Sequence, residues 1–372
     1  MTVKFVSAKD VAQEVFQREP VHILDVRTKE ATEDWHIEGD NVNLINIPFK
    51  ELSDSDSAEL KALPKDQPLY TICGKGNDSQ KAAAYLQENG FGNVYSIEGG
   101  MAAWSEQLEP VKIGEVEGGA IYQFVRLGKG CLSYLIESDG EAAVVDASRV
   151  TENYEKFAKD KGIKIKYVID THLHADHISG GKKLADATGA TYYLPPEDAE
   201  EVVFGFEPAT DGLKLEVGST TVEAVYSPGH TIGSTTFVVG QKYLLTGDIL
   251  FVESIGRPDL AGKAEDWAED LYETLYRRYK ELAGDLLVLP AHYAEVSEMN
   301  EDGSVSEKLS VLYKNNEGLQ IQDEAKFIKK VTQGLKAQPN AYEDIRQTNM
   351  GKINPPADEA KEMETGPNNC AV

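Results

Sequence analysis

The sequence contains few cysteines, a deficit of basic residues and no long apolar run. Its 372 residues include three cysteines, Cys73, Cys131 and Cys370, which lie far apart. This odd and sparse set argues against a disulfide framework and suits a reducing compartment. The N-terminus MTVKFVSAKD lacks the apolar core of a signal peptide, and no apolar stretch is long enough to cross a bilayer. We therefore expect a cytoplasmic protein without a membrane anchor.

The charge balance argues against nucleic acid and anionic membranes as partners. The chain has 37 basic and 63 acidic residues, which give a net charge of -26. Without a concentrated basic patch, such a surface repels nucleic acid and anionic membranes. The length exceeds that of a typical single domain and predicts two domains. Dimers are the commonest assemblies of soluble enzymes, so a homodimer is the candidate oligomeric state.

Two blocks of strand and helix patterns follow one another, with a change near Pro110. In the first block, apolar strand patterns (VHILDVR, PLYTIC, NVYSI) alternate with helical ones, which is typical of a parallel α/β sheet. The second block begins with hairpin-like strands and continues as an α+β pattern. We predict domains at 1–108 and 116–297, a linker at 109–115, and a helical extension and tail over 298–372. The Pro-, Asn- and Glu-rich end of the tail predicts an extended, weakly structured segment.

The strongest functional signal is a set of histidines and aspartates at the ends of apolar strands. The motif THLHADHISGG directly follows the strand YVID, and three further polar residues end later strands. A strand end followed by a tight loop lets side chains converge on one metal ion, and imidazole and carboxylate suit zinc and iron alike. Five of the seven histidines belong to this set, whereas His22 and His36 look structural. The full set is His172, His174, Asp176, His177, His230, Asp248 and His292.

These motifs, in this order and spacing, resemble the metallo-β-lactamase superfamily over about residues 116–295. The resemblance implies an αββα sandwich with metals at one edge. It does not imply one reaction, because thioester hydrolases, flavoproteins, nucleases and dioxygenases share this fold.

A second motif, TGDILFVESIGRPDL, resembles the persulfide dioxygenase branch of that superfamily, since Asp248 is followed by the turn Gly256–Arg257–Pro258–Asp259. This resemblance implies one Fe(II) per chain, held by His172, His230 and Asp248. Two histidines and one carboxylate leave coordination positions open for a persulfide and dioxygen. The implied reaction converts a low-molecular-weight thiol persulfide, O2 and water to sulfite and thiol. His174, Asp176, His177 and His292 are then implied to surround the site without holding a second metal.

Two alternatives to this reaction stay open. In a glyoxalase II-type thioester hydrolase, the same residues bind two zinc ions bridged by Asp248, and the inventory of ligands does not separate the two enzymes. A non-catalytic carrier or sensor that only binds persulfide at Cys73 is the third hypothesis. Arg257 and Tyr293 are candidates to bind the carboxylates or amides of the thiol carrier, which is glutathione, coenzyme A or bacillithiol. A structural salt bridge from Arg257 to Asp259 is the alternative.

The first block resembles a single rhodanese domain over residues 1–108, because it combines the strand end Asp25–Val26–Arg27, a loop starting at Cys73 and a closing Gly-Gly-x-x-x-Trp. The resemblance implies that Cys73 carries a persulfide between thiosulfate or sulfite and a thiol, stabilised by backbone N–H groups and a helix dipole. Asp78 stands where active sulfurtransferases usually carry arginine and would repel thiosulfate, although Lys75 partly compensates. An inactive domain kept for docking is the alternative. Cys131, within a strand pattern, is predicted to be a small buried apolar residue.

Overall fold

The computed structural model describes residues 2–52, 58–258, 264–333 and 341–366, so that Asp259 and Cys370 lie outside the described residues. The chain divides into two compact units. The first takes in the chain up to Glu109 and the short segment Arg126–Gly130, and the second takes in most of the remainder. Within the described ranges, no helix has both the length and the apolar character needed to cross a membrane.

The first unit is a parallel α/β domain. Its strands are β1 Lys4–Val6, β2 Val21–Asp25, β3 Val42–Asn46, β4 Leu69–Ile72 and β5 Val94–Ile97, and its helices are α1 Ala8–Phe16, α2 Lys29–Asp34, α3 Ala58–Ala62, α4 Asn77–Glu88 and α5 Gly100–Trp104. The strands form one parallel sheet in the order β1-β5-β4-β2-β3. Helix α4 covers one part of it because Ala82, Ala83 and Leu86 share a buried face that packs with the sheet core. This architecture confirms the predicted fold class of the first domain.

The second unit contains two sheets and several helices. Its strands are β6 Glu109–Val116, β7 Gly119–Arg126, β8 Cys131–Ser138, β9 Glu141–Val145, β10 Lys164–Ile169, β11 Thr191–Leu194, β12 Glu207–Pro208, β13 Lys214–Val217, β14 Thr220–Tyr226, β15 Thr235–Val239, β16 Tyr243–Gly247, β17 Leu287–Pro290 and β18 Glu307–Lys308. Its helices are α6 Glu152–Lys161, α7 Gly181–Thr188, α8 Ala264–Glu273, α9 Leu309–Asn315, α10 Glu324–Thr332, α11 Tyr342–Asn349 and α12 Ala357–Met363, with a π-helical turn at Thr274–Arg278 and 3-10 turns at Tyr279–Glu281, Val296–Glu298 and Glu317–Leu319.

These elements form the layers of an αββα sandwich. One sheet has the order β12-β11-β10-β9-β8-β7-β6 and the other β13-β14-β15-β16-β17-β18. Helices α6 and α7 pack on β10 of the first sheet. On the second sheet, Leu244 and Val288 join one apolar core with Leu271 of α8 and Phe327 of α10. The predicted metallo-β-lactamase-type architecture is confirmed, and the strand ends that carry the metal-binding motifs belong to this unit.

The last described segment differs from the prediction of an extended, weakly structured end, which is wrong for residues 357–364. Helix α12 forms there, and Ala360 packs with Ile345 of α11 against Ile178. Glu364 is 1% exposed and binds Arg149 with a 2.9 Å Nε–Oε2 distance. Composition hid this structure because the segment has few apolar residues and is held largely by polar contacts to distant parts of the unit.

Candidate metal centre and cysteine loop

Three of the predicted ligands lie together where strands end. His172 follows β10, His230 lies in the loop after β14, and Asp248 follows β16 directly. Their donor atoms lie within 4.8 Å of one another. The Asp248 Oδ2 atom is 3.4 Å from His230 Nε2 and 3.8 Å from His172 Nε2. We call these three residues the triad; they are the residues that the resemblance implies as iron ligands.

Hydrogen bonds orient both imidazoles of the triad. His230 Nδ1 lies 2.9 Å from the carbonyl oxygen of Arg257, which can only accept, so Nδ1 carries the proton and Nε2 presents its lone pair to Asp248. His172 Nδ1 lies 2.9 Å from the Thr171 hydroxyl, which itself donates to Asp146. Burial lowers the pKa of both histidines, that of His172 strongly. Both rings are therefore held in the neutral form that metal ligation requires.

A second group of side chains lies beside the triad. It consists of Cys131, Asp176, His177 and His292, whose donor atoms also lie within 4.8 Å of one another. His292 Nε2 is 3.3 Å from Asp176 Oδ2 and 3.3 Å from Asp248 Oδ1. The Asp248 carboxylate therefore faces the two triad histidines with Oδ2 and faces His292 with Oδ1. We call these four residues the Cys131 cluster.

Cys131 corrects one prediction in part. Its side chain is buried, as expected, but its surroundings are polar: the Sγ atom lies 3.8 Å from Asp176 Oδ2. Burial opposes ionisation, yet His292 and His177 lower the pKa of the thiol to about 6. A strand pattern cannot reveal such neighbours, because they come from β-strand ends more than 40 positions away in the chain.

His174 belongs to neither group. Its Nε2 atom lies 3.1 Å from Asp146 Oδ1, and Asp170 completes this third cluster. Burial and His177 disfavour the charged ring, but Asp146 and Asp170 outweigh them and raise the pKa of His174. The structure thus places His174 against two carboxylates that the sequence motifs did not single out.

Buried polar atoms test whether a metal fits here. Among the described residues, both carboxylate oxygens of Asp248 and both ring nitrogens of His292 are buried without a hydrogen-bond partner. Such atoms are costly to bury unless a hydrogen bond or a cation compensates. Oxygen and neutral imidazole donors that converge on one point are the usual ligands of a divalent metal. The triad and its neighbours therefore fit a metal ion.

Asp198 connects the two loops that carry the triad histidines. Its carboxylate accepts hydrogen bonds from Leu173 N at 3.0 Å, from Thr231 Oγ1 at 2.7 Å and from Gly233 N at 2.7 Å. Burial raises its pKa. The sequence did not reveal this residue as a candidate, because it lies in an irregular loop with no motif around it.

The turn after Asp248 packs so closely against the backbone that it requires glycine at position 256. A Cβ atom on Gly256 would lie 1.8 Å from the carbonyl oxygen of Asp248, so only glycine fits.

Arg257 and Tyr293 are 1% and 6% exposed, and each has contacts within the protein. Their role in binding a thiol carrier stays a prediction.

A cavity of about 280 Å³ adjoins the loops that carry the triad histidines. It is lined by Leu173, Ala175, Glu197, Asp198, Glu200, Glu201, Thr231, Ile232, Trp267, Tyr342, Arg346 and Met350.

The C-terminal extension holds the loop that carries Asp176 and His177. Asn349 of α11 donates to the carbonyl oxygens of His174 and His177, both at 2.9 Å, and accepts from Ser179 N at 2.9 Å. Glu364 accepts from Ile178 N at 2.7 Å. Asn349 and Glu364 together therefore hold four positions of this loop, namely 174, 177, 178 and 179.

We expect Asn349→Ala to weaken metal binding without removing a ligand. The variant leaves one buried N–H and two buried carbonyls unsatisfied, at a cost of about 1–3 kcal/mol for each such group. Loss of groups that orient ligands lowers metal affinity by about 10- to 100-fold in comparable sites. Metal affinity measured by competition with a chelator tests this, with Gln347→Ala, a partly buried amide on the same helix that contacts Glu343, as the control. Equal affinities for the two variants would contradict the prediction.

In the first unit, Cys73 follows β4 and precedes α4, as predicted. Gly76 N lies 3.2 Å from the Cys73 Sγ atom, and Ser79 Oγ lies 3.5 Å from it. Gly100, with a φ of +60°, packs so close that a Cβ atom would lie 2.2 Å from the Cys73 carbonyl oxygen. The closing Gly-Gly turn thus supports the cysteine loop.

The charges around Cys73 come from exposed side chains. Lys75 and Asp78 are both exposed, and Asp78 Oδ1 pairs with Lys81 Nζ at 2.9 Å. Because this pair is exposed, it neutralises the carboxylate only weakly. The backbone cradle for a thiolate is present, whereas Asp78 still opposes an anionic sulfur donor. Whether the domain transfers sulfur stays a prediction.

Two family profiles match the chain. The metallo-β-lactamase superfamily profile matches residues 127–293, and the rhodanese-like domain profile matches residues 7–107. The mouse protein named persulfide dioxygenase ETHE1, mitochondrial, is 30% identical over 182 residues, which cover 46% of this chain and 67% of the mouse protein.

Two crystal structures are similar to the chain. The metallo-β-lactamase from Staphylococcus aureus subsp. aureus COL aligns with a TM-score of 0.57 at 25% identity and covers 63% of this chain and 73% of that one. ETHE1 from Myxococcus xanthus aligns with a TM-score of 0.55 at 22% identity and covers 62% of this chain and 98% of that one. Both alignments agree with the αββα architecture described above.

Proposed function

Because the chain belongs to the metallo-β-lactamase superfamily and carries a rhodanese-like domain ahead of it, we propose that it is a persulfide dioxygenase fused to a sulfurtransferase domain. The metal unit oxidises the outer sulfur of a low-molecular-weight thiol persulfide. One persulfide, one O2 and one water give one sulfite and one thiol, with the release of two protons. We also propose that the protein works in the cytosol, in keeping with its sparse cysteines.

The observation that carries this proposal is the separation of the triad from His174. His172, His230 and Asp248 form a two-histidine, one-carboxylate set, whereas His174 contacts Asp146. Such a set is typical of mononuclear non-haem iron sites. When bound, ferrous iron supplies open coordination positions and an electron-donating centre for reaction with O2.

The residues of this chain contribute orientation and burial. The Arg257 carbonyl and the Thr171 hydroxyl set the tautomers of the triad histidines. Asp198 accepts hydrogen bonds from Leu173 and Thr231 and so connects the loop of His172 with the loop of His230. All three triad side chains are at most 2% exposed, so that bulk water is kept from the reacting atoms and polar groups act in a low dielectric. The neighbouring cavity that Leu173, Ala175 and Thr231 line is our candidate binding site for the thiol carrier.

The rhodanese-like unit would use the product of the metal unit. In the proposed step, sulfite attacks the outer sulfur of a persulfide on Cys73, the S–S bond breaks, and thiosulfate and the Cys73 thiolate are formed. Gly76 N–H donates to the Cys73 sulfur and would stabilise that thiolate. Lys75 is the candidate to attract the anion, against the opposing charge of Asp78.

Oxygen uptake tests the proposed activity. Fe(II)-loaded protein is given glutathione persulfide, and O2 consumption and sulfite formation are measured together, followed by coenzyme A and bacillithiol persulfides. We expect uptake with one of them and loss of uptake in His172→Ala. His22→Ala, a histidine that contacts Gln67 in the other unit, is the matched control and should keep full activity. Iron-loaded protein that consumes no O2 with any of the three persulfides would refute the dioxygenase.

The Cys131 cluster supports a second candidate, a dinuclear thioester hydrolase of glyoxalase II type. Asp176, His177 and His292 lie beside Asp248, whose two oxygens face different groups. Hydrolysis of a glutathione thioester by the zinc-loaded protein without oxygen would favour this reading. A carrier or sensor would show neither reaction.

A further inference from the structure

A cavity of about 860 Å³ lies beside the C-terminal helices of the second unit. Its walls come from the start of α7, from β11 and the loop after it, and from the chain between Thr348 and Ala360. Small-molecule sites usually have volumes of about 300–1,000 Å³. Among the described residues, it shares no lining residue with the smaller cavity beside the triad histidines. It is therefore a separate candidate site for a ligand of that size.

The lining of this cavity is rich in cations, unlike the chain as a whole. Arg149, Lys182 and Lys183 line it, and Asp186 is the one acidic residue among the described lining residues. In the full sequence, by contrast, 63 acidic residues outnumber 37 basic ones. Glu364 holds Arg149 in place with a 2.9 Å Nε–Oε2 distance. Cations clustered in a cleft attract an anion, because the low-dielectric walls focus their field.

Two of these cations form ion pairs that an anionic ligand can replace. Lys182 Nζ lies 2.6 Å from Asp186 Oδ1, and Lys183 Nζ lies 2.8 Å from Glu152 Oε1. The two carboxylate side chains are 66% and 69% exposed. Ion pairs at such exposure contribute little to stability. An anionic group of a ligand can therefore take the place of either carboxylate at small cost.

One wall of the cavity is aromatic. The rings of Tyr192 and Phe204 are stacked, with centroids 6.0 Å apart and an interplanar angle of 26°. Lys182 Nζ lies 5.9 Å from the centroid of the Phe204 ring. A Cβ atom on Gly351, whose φ is +77°, would lie 2.7 Å from that ring, so the end of α11 supports it closely. A half-buried phenyl ring beside a cation offers a stacking surface to a planar heterocycle.

We propose that this cavity binds a nucleotide, with the base against Phe204 and the phosphates beside Arg149, Lys182 and Lys183. A planar ring that carries several negative charges is the ligand that an aromatic wall and three cations together recognise. This chemistry has two sources, a free nucleotide and the nucleotide end of coenzyme A. The inference does not rest on the proposed oxidation, because none of the lining residues belongs to the triad.

The cavity also adjoins the support of a metal-binding loop. Ser179 and Asn349 both line it, and Asn349 accepts from Ser179 N and donates to the carbonyl oxygen of His177, each at 2.9 Å. A nucleotide in contact with Asn349 favours the conformation in which this residue holds the loop. Because coupling between two binding sites is reciprocal, we expect the iron-loaded protein to bind the nucleotide more tightly than the metal-free protein does.

Calorimetric titration of the full-length protein with ADP tests the proposal. We expect one ADP per chain, with adenosine and inorganic phosphate each binding at least about tenfold more weakly. Lys182→Gln and Lys183→Gln should each lower the affinity for ADP by about fivefold, which corresponds to about 1 kcal/mol for one charge pair in water. Phe204→Leu should lower it by about fivefold or more through loss of stacking. Lys156→Gln, which removes an exposed lysine that pairs with Asp160, is the matched control and should bind ADP as wild type does.

Coenzyme A titrated in parallel identifies the source of the nucleotide. Tighter binding of coenzyme A than of ADP assigns the site to the thiol carrier, and equal or weaker binding assigns it to a free nucleotide. No binding of either compound at about 1 mM, binding of phosphate as tight as that of ADP, or ADP binding that all three substitutions leave unchanged would overturn the proposal. Equal affinities of iron-loaded and metal-free protein would overturn the coupling to the loop alone. Oxygen uptake is read separately, so failure of the dioxygenase leaves these results unaffected.

Discussion

Replacing Asp248 with asparagine is expected to abolish iron binding and oxygen uptake together. Asp248 is the single carboxylate of the triad, and among the described residues both of its oxygens lack a hydrogen-bond partner. The amide has no charge and one oxygen fewer, so we expect iron affinity to fall by more than about 100-fold, beyond the loss that follows from removal of an orienting group. Iron content after desalting and O2 consumption with glutathione persulfide measure both effects.

The same variant leads to a second prediction, for stability. In the metal-free protein burial raises the pKa of Asp248, but His292, His172 and His230 outweigh it and lower that pKa, so removal of the charge should lower the melting temperature at neutral pH. In the iron-loaded proteins the difference should widen, because a bound metal stabilises only the wild-type fold. Asp186→Asn, a surface carboxylate that pairs with Lys182, is the matched control and should change neither quantity. Normal iron content in Asp248→Asn would contradict the assignment of the triad.

Cys73→Ser is expected to remove all sulfur transfer and leave oxygen uptake within about twofold of wild type. A serine hydroxyl is not ionised at neutral pH and does not form a persulfide, so the rhodanese-like unit loses its nucleophile. The predicted metal ligands all lie in the other unit. Transfer of sulfur from thiosulfate to cyanide, measured beside O2 uptake on one preparation, tests both statements. Residual transfer above the uncatalysed rate would show that Cys73 is not the carrier.

The companion variant Asp78→Arg tests why the loop departs from active sulfurtransferases. The change replaces an exposed negative charge with a positive one at the start of α4, beside Cys73. Two unit charges about 4 Å apart in water interact by about 1 kcal/mol, and reversal of the sign changes this energy by about twice as much, so we expect thiosulfate turnover to rise by roughly 10- to 30-fold at low salt. Asp40→Arg, which makes the same change of net charge in an exposed pair with Arg18, should have no effect. An unchanged rate would favour the docking role.

Local patterns predicted the parts of the molecule that depend on local causes. The parallel sheet of the first unit follows from short apolar strands alternating with helices such as α4, whose buried residues recur at helical spacing. His172 and Asp248 could be named as candidate ligands because Asp248 directly follows a strand and His172 lies three positions after the end of another, and strand ends in one sandwich meet at one edge. The turn at Gly256 was visible as a motif, although its cause, the approach to the Asp248 carbonyl, was not.

The sequence by itself determined the two domains' fold class, the candidate metal ligands and the position of Cys73 at a strand end. Only the tertiary structure decided how those ligands divide, with His174 against Asp146 and Cys131 against Asp176. It also decided that Asp198 and Asn349 hold the metal-binding loops. The physical reason is that these contacts join residues from 25 to 175 positions apart, through buried hydrogen bonds. Such contacts leave no periodic trace in the sequence, because their partners become neighbours only when the sheets and the C-terminal helices pack.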